Sequence, residues 1–376
     1  MYVFVLARID PICPTFAPFV FTVLGLTLYR QLEFLYDNIE PLLDFDWAST
    51  EPLKLRPFKP KYHLSMALEN LNMSELVLMD KNYLERLRIR RKLLENEPTT
   101  VVCASETIGP AVSELYTWIT RTYLPQRYPS MFNFIDQPDS KGLTPLLRNL
   151  VTNETLPTTG LSTTDALRTL GAHVDEDFLL LLPSPSTSTA ATTAVEKPDR
   201  PSYRLEGFVN CFPSGFDTRA KFGRTLAAIH APVPGYAAKL ERSMDRFFAA
   251  LPAGRFVKRH NWSLTTSAEL FSLGGYHLYA GEDGLDEVET QKREKVDVEK
   301  CVLRCERQTL HRLRESGAVV FAFKTYVYPL KGVKEEGNGE ALAQAIEGLG
   351  RGSVPEIEFY KRAVVWGEDV KAYLRS

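Results

Sequence analysis

The stretch "KFGRTLAAIHAPVPGY", residues 221–236, ends an apolar helical pattern on an imidazole and then breaks it with two prolines. Asp217 or Thr218 is placed to cap a helix running from Arg219 through Phe222, Leu226 and Ile229, with His230 in its last turn on the buried side. A neutral imidazole at a helix end can give one ring N–H to a nearby carbonyl and offer its other nitrogen to a metal. Pro232 and Pro234 would fix that geometry, because proline restricts both itself and its predecessor. A hydrogen-bonded core histidine fits the same residues. The residues alone leave both roles open.

A second unusual stretch is "LRCERQTLHRL", residues 303–313. Strand alternation puts Arg304, Glu306 and Gln308 on one face and Leu303, Cys305 and Arg307 on the other. Charges inside an apolar sheet are costly unless they bond each other or a ligand. A ligand site and a structural ion-pair network are both consistent with the pattern. Of the other histidines, His173 and Asp177 in "HVDEDF" would lie one turn apart on a helix, as a solvated ion pair or, with Glu176, a metal site. His260 and His311 read as surface or hydrogen-bonded strand residues.

The elements that must position these residues follow from periodicity. "SELVLMDKNYLERLRIRRKLLEN" predicts a helix capped by Ser74, with Leu76, Met79, Tyr83, Leu87 and Leu94 on its buried side. A second helix opens at Pro110 and ends before "PQRYP", and a third runs from near Thr164 to Pro183. Strands are expected at "SYRLEGFVNCF", "RFVKRHNWSL", "CVLRCERQTLHRL" and "AVVFAFKTYVYPL", the last two joined through "RESG" as a hairpin. Two helices should follow. This order predicts an α+β domain, an antiparallel sheet with helices on one face and an additional N-terminal helical layer.

Composition narrows the function classes. With 376 residues, 44% hydrophobic and 24% charged, the chain can bury a sizeable core. A formal charge of -2 and no basic stripe argue against nucleic-acid binding. The five cysteines are scattered; Cys301 and Cys305 on one strand would sit roughly 13 Å apart, too far for a disulfide. No C-x-x-C pair, phosphate loop, H-E-x-x-H or G-x-S-x-G is present, and "GNGEALAQAIEGLG" lacks the third glycine of a dinucleotide fingerprint. The chain therefore has no recognisable nicotinamide, flavin or iron–sulfur site of its own.

Residues 1–30 hold an uncharged apolar run, 12–29, that approaches a bilayer span and is expected to anchor the protein. A proline-punctuated tether, 31–61, leads to the main domain, 62–376. Flexible insertions are expected at 183–201, rich in Ser and Thr, and at 281–299, highly charged.

Taken in order, "YLPQRYPSMF", "VDEDFLLL", "CFPSGFDTRAKFGRTLAAIHAPVPGY", "SMDRFFAAL", "RHNWSL", "ERQTLHRLRESGAVVFAFKTYVYPL" and "FYKR" resemble the heme-dependent oxidative N-demethylase alpha-subunit-like family over residues 51–374. The resemblance implies a PAS-like fold holding heme between sheet and helices. It also implies a monooxygenase-type reaction of oxygen with a small secondary amine, releasing formaldehyde. Electrons would come from NADPH through separate FMN and iron–sulfur partner proteins, that is, a separate reductase, which agrees with the lack of such sites here.

On this reading His230 becomes the axial iron ligand and Glu306 holds the substrate ammonium. Arg304 or Arg307 would polarise oxygen or pair a heme propionate, and Lys221 and Arg259 are further propionate partners. The insertions and the N-terminal apolar segment are not part of the bacterial pattern. The domain is expected on the cytoplasmic side of the membrane, where reductases draw on NADPH. The alternatives are a heme-binding PAS-like sensor without turnover, and a membrane-anchored structural protein that has lost the cofactor.

Overall fold

The structure, a computed structural model, describes residue 36 and residues 38–136, 145–184, 201–279 and 296–376. The expected anchor at 12–29 and most of both insertions lie outside these residues. Among the described residues no helix is long and apolar enough to cross a membrane.

Two short edge strands, β1 (Glu69–Asn70) and β2 (Val102–Ala104), come first in the chain. A small separate sheet follows, made of β3 (Phe132–Ile135), β4 (Leu146–Asn149) and β5 (Glu154–Pro157). The main strands are β6 (Asp177–Pro183), β7 (Tyr203–Val209), β8 (Phe256–Thr265), β9 (Val302–Arg312) and β10 (Val319–Pro329). With the two edge strands they form a seven-stranded antiparallel sheet in the order β1-β8-β9-β10-β6-β7-β2. The architecture is thus mixed α+β, as the element order predicts. The hairpin through "RESG" pairs in one unbroken register from Val319↔Arg312 to Pro329↔Val302.

The helices of the described residues include α1 (Tyr83–Asn96), α2 (Gly109–Trp118), α3 (Thr163–His173), α4 (Leu226–His230), α5 (Glu241–Ala250), α6 (Gly339–Glu347) and α7 (Ala363–Arg375). Helices α6 and α7 bury Ile346, Trp366 and Val370 against Trp262, Leu264, Leu303 and Cys305 of the sheet. Each such large side chain contributes about 1.5–3 kcal/mol relative to exposure. The opposite face receives residues 226–251, through Leu226, Tyr236, Met244 and Phe248. Helical cover therefore lies on both faces: residues 226–251 on one, and the C-terminal pair with the N-terminal layer on the other.

Several predicted boundaries shift, each for a physical reason. The first helix begins at Tyr83 rather than Ser74. Asn72, not Ser74, caps a short 3₁₀ turn over Met73–Glu75, and Asp80 is drawn out of helical geometry to pair with buried Lys324 at 2.9 Å. All five residues predicted for the buried side are indeed buried. Helix α2 runs on through a π-turn at Ile119–Tyr123 and a further turn at Leu124–Arg127. The wider turn accommodates Pro125, which has no N–H and crowds the carbonyl four residues back.

The third helix stops at His173, capped at its start by Ser162, and "DFLLLL" is strand β6. An apolar run buried on both faces has no period to distinguish strand from helix, and pairing with β7 and β10 decides the outcome. His173 and Asp177 are consequently not a helix-face pair. Buried Asp177 meets Arg90 at 2.9 Å, while His173 faces Arg91 at 3.4 Å and Glu154 at 3.8 Å. His311 is no surface residue either: it is fully buried between the rings of Phe256 and Trp118, centroids 5.1 and 5.8 Å away. The end of the charged insertion also packs, with Val296 and Val298 against the C-terminal helices.

Candidate functional site

Alternation along the central strands builds one wall of a cavity of about 310 Å³. Glu306, Gln308 and Leu310 of β9 face it, flanked by Arg259 and Asn261 of β8 and by Phe321 and Phe323 of β10. Residues 216–248 form the facing wall, with Leu226, Ile229, Met244 and Phe248 among its apolar side chains. The volume suits a small molecule or cofactor.

His230 lines this cavity. The predicted single helix is two pieces, a 3₁₀ turn over Arg219–Lys221 and then α4, because Gly223 turns the chain at φ 73°. Asp217 caps the first piece and Thr225 the second. His230 Nδ1 lies 2.8 Å from the carbonyl oxygen of Leu226. A carbonyl only accepts, so the proton sits on Nδ1 and Nε2 keeps its lone pair. The "APVPG" turn follows from contacts: Val233 N–H donates to the His230 carbonyl at 2.9 Å, and Gly235 takes φ 73°. A Cβ at Gly235 would meet Val354 at 2.7 Å. This turn brings Tyr236 back onto the imidazole, with centroids 4.9 Å apart and planes 17° from parallel. Burial, opposed by the Leu226 hydrogen bond, pushes the His230 pKa down to about 4.

Three cations line the same cavity: Lys221, Arg259 and Lys361. Burial pushes the Lys221 pKa down to about 8, against the pull of Glu306, and its ammonium lies 4.0 Å from the ring centroid of Phe216. Burial also lowers Arg259, whose Nε has no partner among the described residues. Lys361, likewise depressed to about 8 by burial, donates to the Trp262 carbonyl and to Asn261 Oδ1 at 3.5 Å. Glu306 Oε2 accepts from Gln308 at 2.7 Å, while its Oε1 is buried without a partner among the described residues.

The structure brings His230, Lys221, Arg259 and Glu306 together around one cavity. Arg304 and Arg307 are not among the cavity-lining residues. Arg304 shares the face of Glu306, but its guanidinium is taken up by four backbone carbonyls, of Phe212, Pro213, Glu269 and Leu270. Arg307 points to the other face and donates to the carbonyls of Leu76 at 3.2 Å and Glu75 at 2.5 Å. Neither geometry reaches a propionate or oxygen in the cavity. Sequence reasoning missed Lys361 and His277. Lys361 stands in "FYKR", a signal that was available; His277 sits in an irregular loop with no periodicity to place it.

The residues present fit heme. A neutral imidazole with a free Nε2 faces a mostly apolar cavity, and three cations against one carboxylate leave two positive charges for two propionates. A lining of this kind can take a flat, dianionic, metal-centred cofactor. A family model described as "Haem-dependent oxidative N-demethylase, alpha subunit-like" matches residues 67–371, and the chain belongs to that family. The family name implies heme, an enzyme and further subunits. No curated protein matches the chain.

Proposed function

We propose that this chain is the heme-binding catalytic subunit of a monooxygenase that demethylates a small secondary amine or related metabolite. The observation that carries the reading is His230, held by Leu226 and Tyr236 in the lining of a cavity whose three cations outnumber its one carboxylate by two. Heme bound there supplies oxygen activation. His230 stays neutral at pH 7, so its lone pair is available to iron. Lys221, Arg259 and Lys361 neutralise the propionates and fix the cofactor's orientation. Glu306 Oε1, a buried acceptor lacking a donor among the described residues, takes an N–H of the substrate ammonium. The balance is R–NH–CH₃, O₂, two electrons and two protons giving R–NH₂, formaldehyde and water. The apolar wall from Met244, Phe248, Phe321 and Phe323 keeps water from the reacting methyl group.

The electrons come from a separate NADPH-dependent reductase carrying FMN and iron–sulfur centres. We place the catalytic domain on the cytoplasmic side of a membrane reached through residues 12–29. The exposed sequon asparagines Asn72 and Asn153 would carry glycans if it were lumenal. The test of function is a panel of methylated amines with the heme-loaded chain and a chemical reductant. Formaldehyde release in step with amine-dependent oxygen uptake supports the reading; oxygen uptake that no amine alters counts against it.

A further inference from the structure

The cavity holds a second imidazole, His277. It is carried by an irregular loop that is nonetheless tightly placed. Arg304 staples the loop to residues 212–213 by donating to the Glu269 and Leu270 carbonyls at 3.1 Å each and to Phe212 at 2.8 Å. Gly215 N–H donates to the Ser272 carbonyl at 2.9 Å, and Leu278 N–H to the Tyr360 carbonyl at 3.1 Å. Gly215 sits at φ 72°, and a Cβ there would meet Tyr276 at 2.4 Å, so only glycine lets the loop approach this closely. His277 is therefore held in position from both sides, by residues 213–215 and by Tyr360.

Its ring is prepared as that of His230 is. Nδ1 faces the carbonyl oxygen of Gly215 at 3.4 Å, which places the proton on Nδ1. The imidazole packs on Tyr360, centroids 4.6 Å apart, as His230 packs on Tyr236. Burial first, then the charge of Lys361, depresses its pKa to about 4. No described residue donates to Nε2. A neutral acceptor nitrogen is of no use to a propionate, which is itself an acceptor. It has use for a metal, and a metal-binding histidine characteristically gives its other N–H to a backbone carbonyl.

We infer that His277 is the second imidazole ligand of the iron, so that the resting ferric protein is six-coordinate through His230 and His277, and His277 leaves the iron before oxygen binds. This rests on heme being held by His230. The experiment is electron paramagnetic resonance and absorption of the ferric full-length chain, with His277→Ala and the milder His277→Gln. The wild type should be low-spin. Both variants should keep bound heme but turn high-spin, and added imidazole should return the low-spin form. A high-spin wild type overturns the inference without any variant. A low-spin wild type whose spectrum survives both substitutions overturns it too. A wild type that takes up no heme defeats the underlying reading as well, and heme content, measured separately from spin state, tells the two failures apart.

Discussion

The Nδ1 of His230 lies 2.8 Å from the carbonyl oxygen of Leu226, one helical turn earlier. That contact fixes the tautomer, so Nε2 carries no proton. Burial holds the pKa near 4, below the 6.5 of an ordinary histidine. The folded value is depressed, so between pH 6.5 and 4 the unfolded chain binds a proton that the folded chain does not. Stability attributable to His230 is full above pH 6.5 and lost as pH falls through about 4. A proton must compete with iron for Nε2, so bound heme, followed by its Soret absorbance, should persist to pH 5 and be released only below about pH 4.

Lys324 is buried between Asp80 at 2.9 Å and Asp175 at 3.2 Å, on the sheet face away from the cavity. Removing the ammonium strands two carboxylates in a low-dielectric interior. Lys324→Met should cost about 3–5 kcal/mol, read as a lowered urea midpoint of the full chain.

Glu176 is 1% exposed and both its oxygens lack partners among the described residues. Burial pushes its pKa up to about 8, though Arg307 and Lys324 oppose the shift. The folded chain holds this proton where the unfolded chain has released it, so the contribution is full below pH 4.5 and lost as pH rises through 8. Glu176→Gln mimics the protonated form. It should match the wild type at pH 4 and gain stability over it with rising pH, by at most about 1.4 kcal/mol per pH unit, up to pH 8. Urea unfolding of both proteins at several pH values measures this.

The legible parts of the molecule are those with a strong local period. Alternation in "LRCERQTLHRL" assigned Glu306 and Gln308 to one face and Arg307 to the other, and the register with β8 and β10 agrees. What alternation cannot say is which face opens onto a cavity. Arg304 shares the face of Glu306, yet backbone carbonyls consume its guanidinium. The run "DFLLLL" misled because a strand buried on both sides carries no period. The small sheet β3-β4-β5, with strands of four residues each, was too short to signal itself. His277 depends on a glycine turn and an arginine staple from distant sequence, so no local pattern announces it.

The sequence holds no nucleotide-binding fingerprint and no cysteine cluster. The heme-loaded chain alone should therefore not oxidise NADPH, and adding a flavin-dependent reductase should start the reaction. A spectrophotometric assay at 340 nm distinguishes the two cases. Rapid oxidation by the chain alone would show that the electron route is misassigned.

The central claim is that His230 binds heme iron. The most direct measurement is the absorbance spectrum of the full-length chain, wild type and His230→Ala, after heme reconstitution. The account predicts a Soret band in the wild type that shifts or vanishes in the variant and is partly restored by added imidazole filling the vacated space. If His230 were only a packed residue, the change would lower stability by roughly the 0.5–3 kcal/mol common for point substitutions and leave the heme spectrum as it was. An unchanged Soret band in the folded variant would contradict the account.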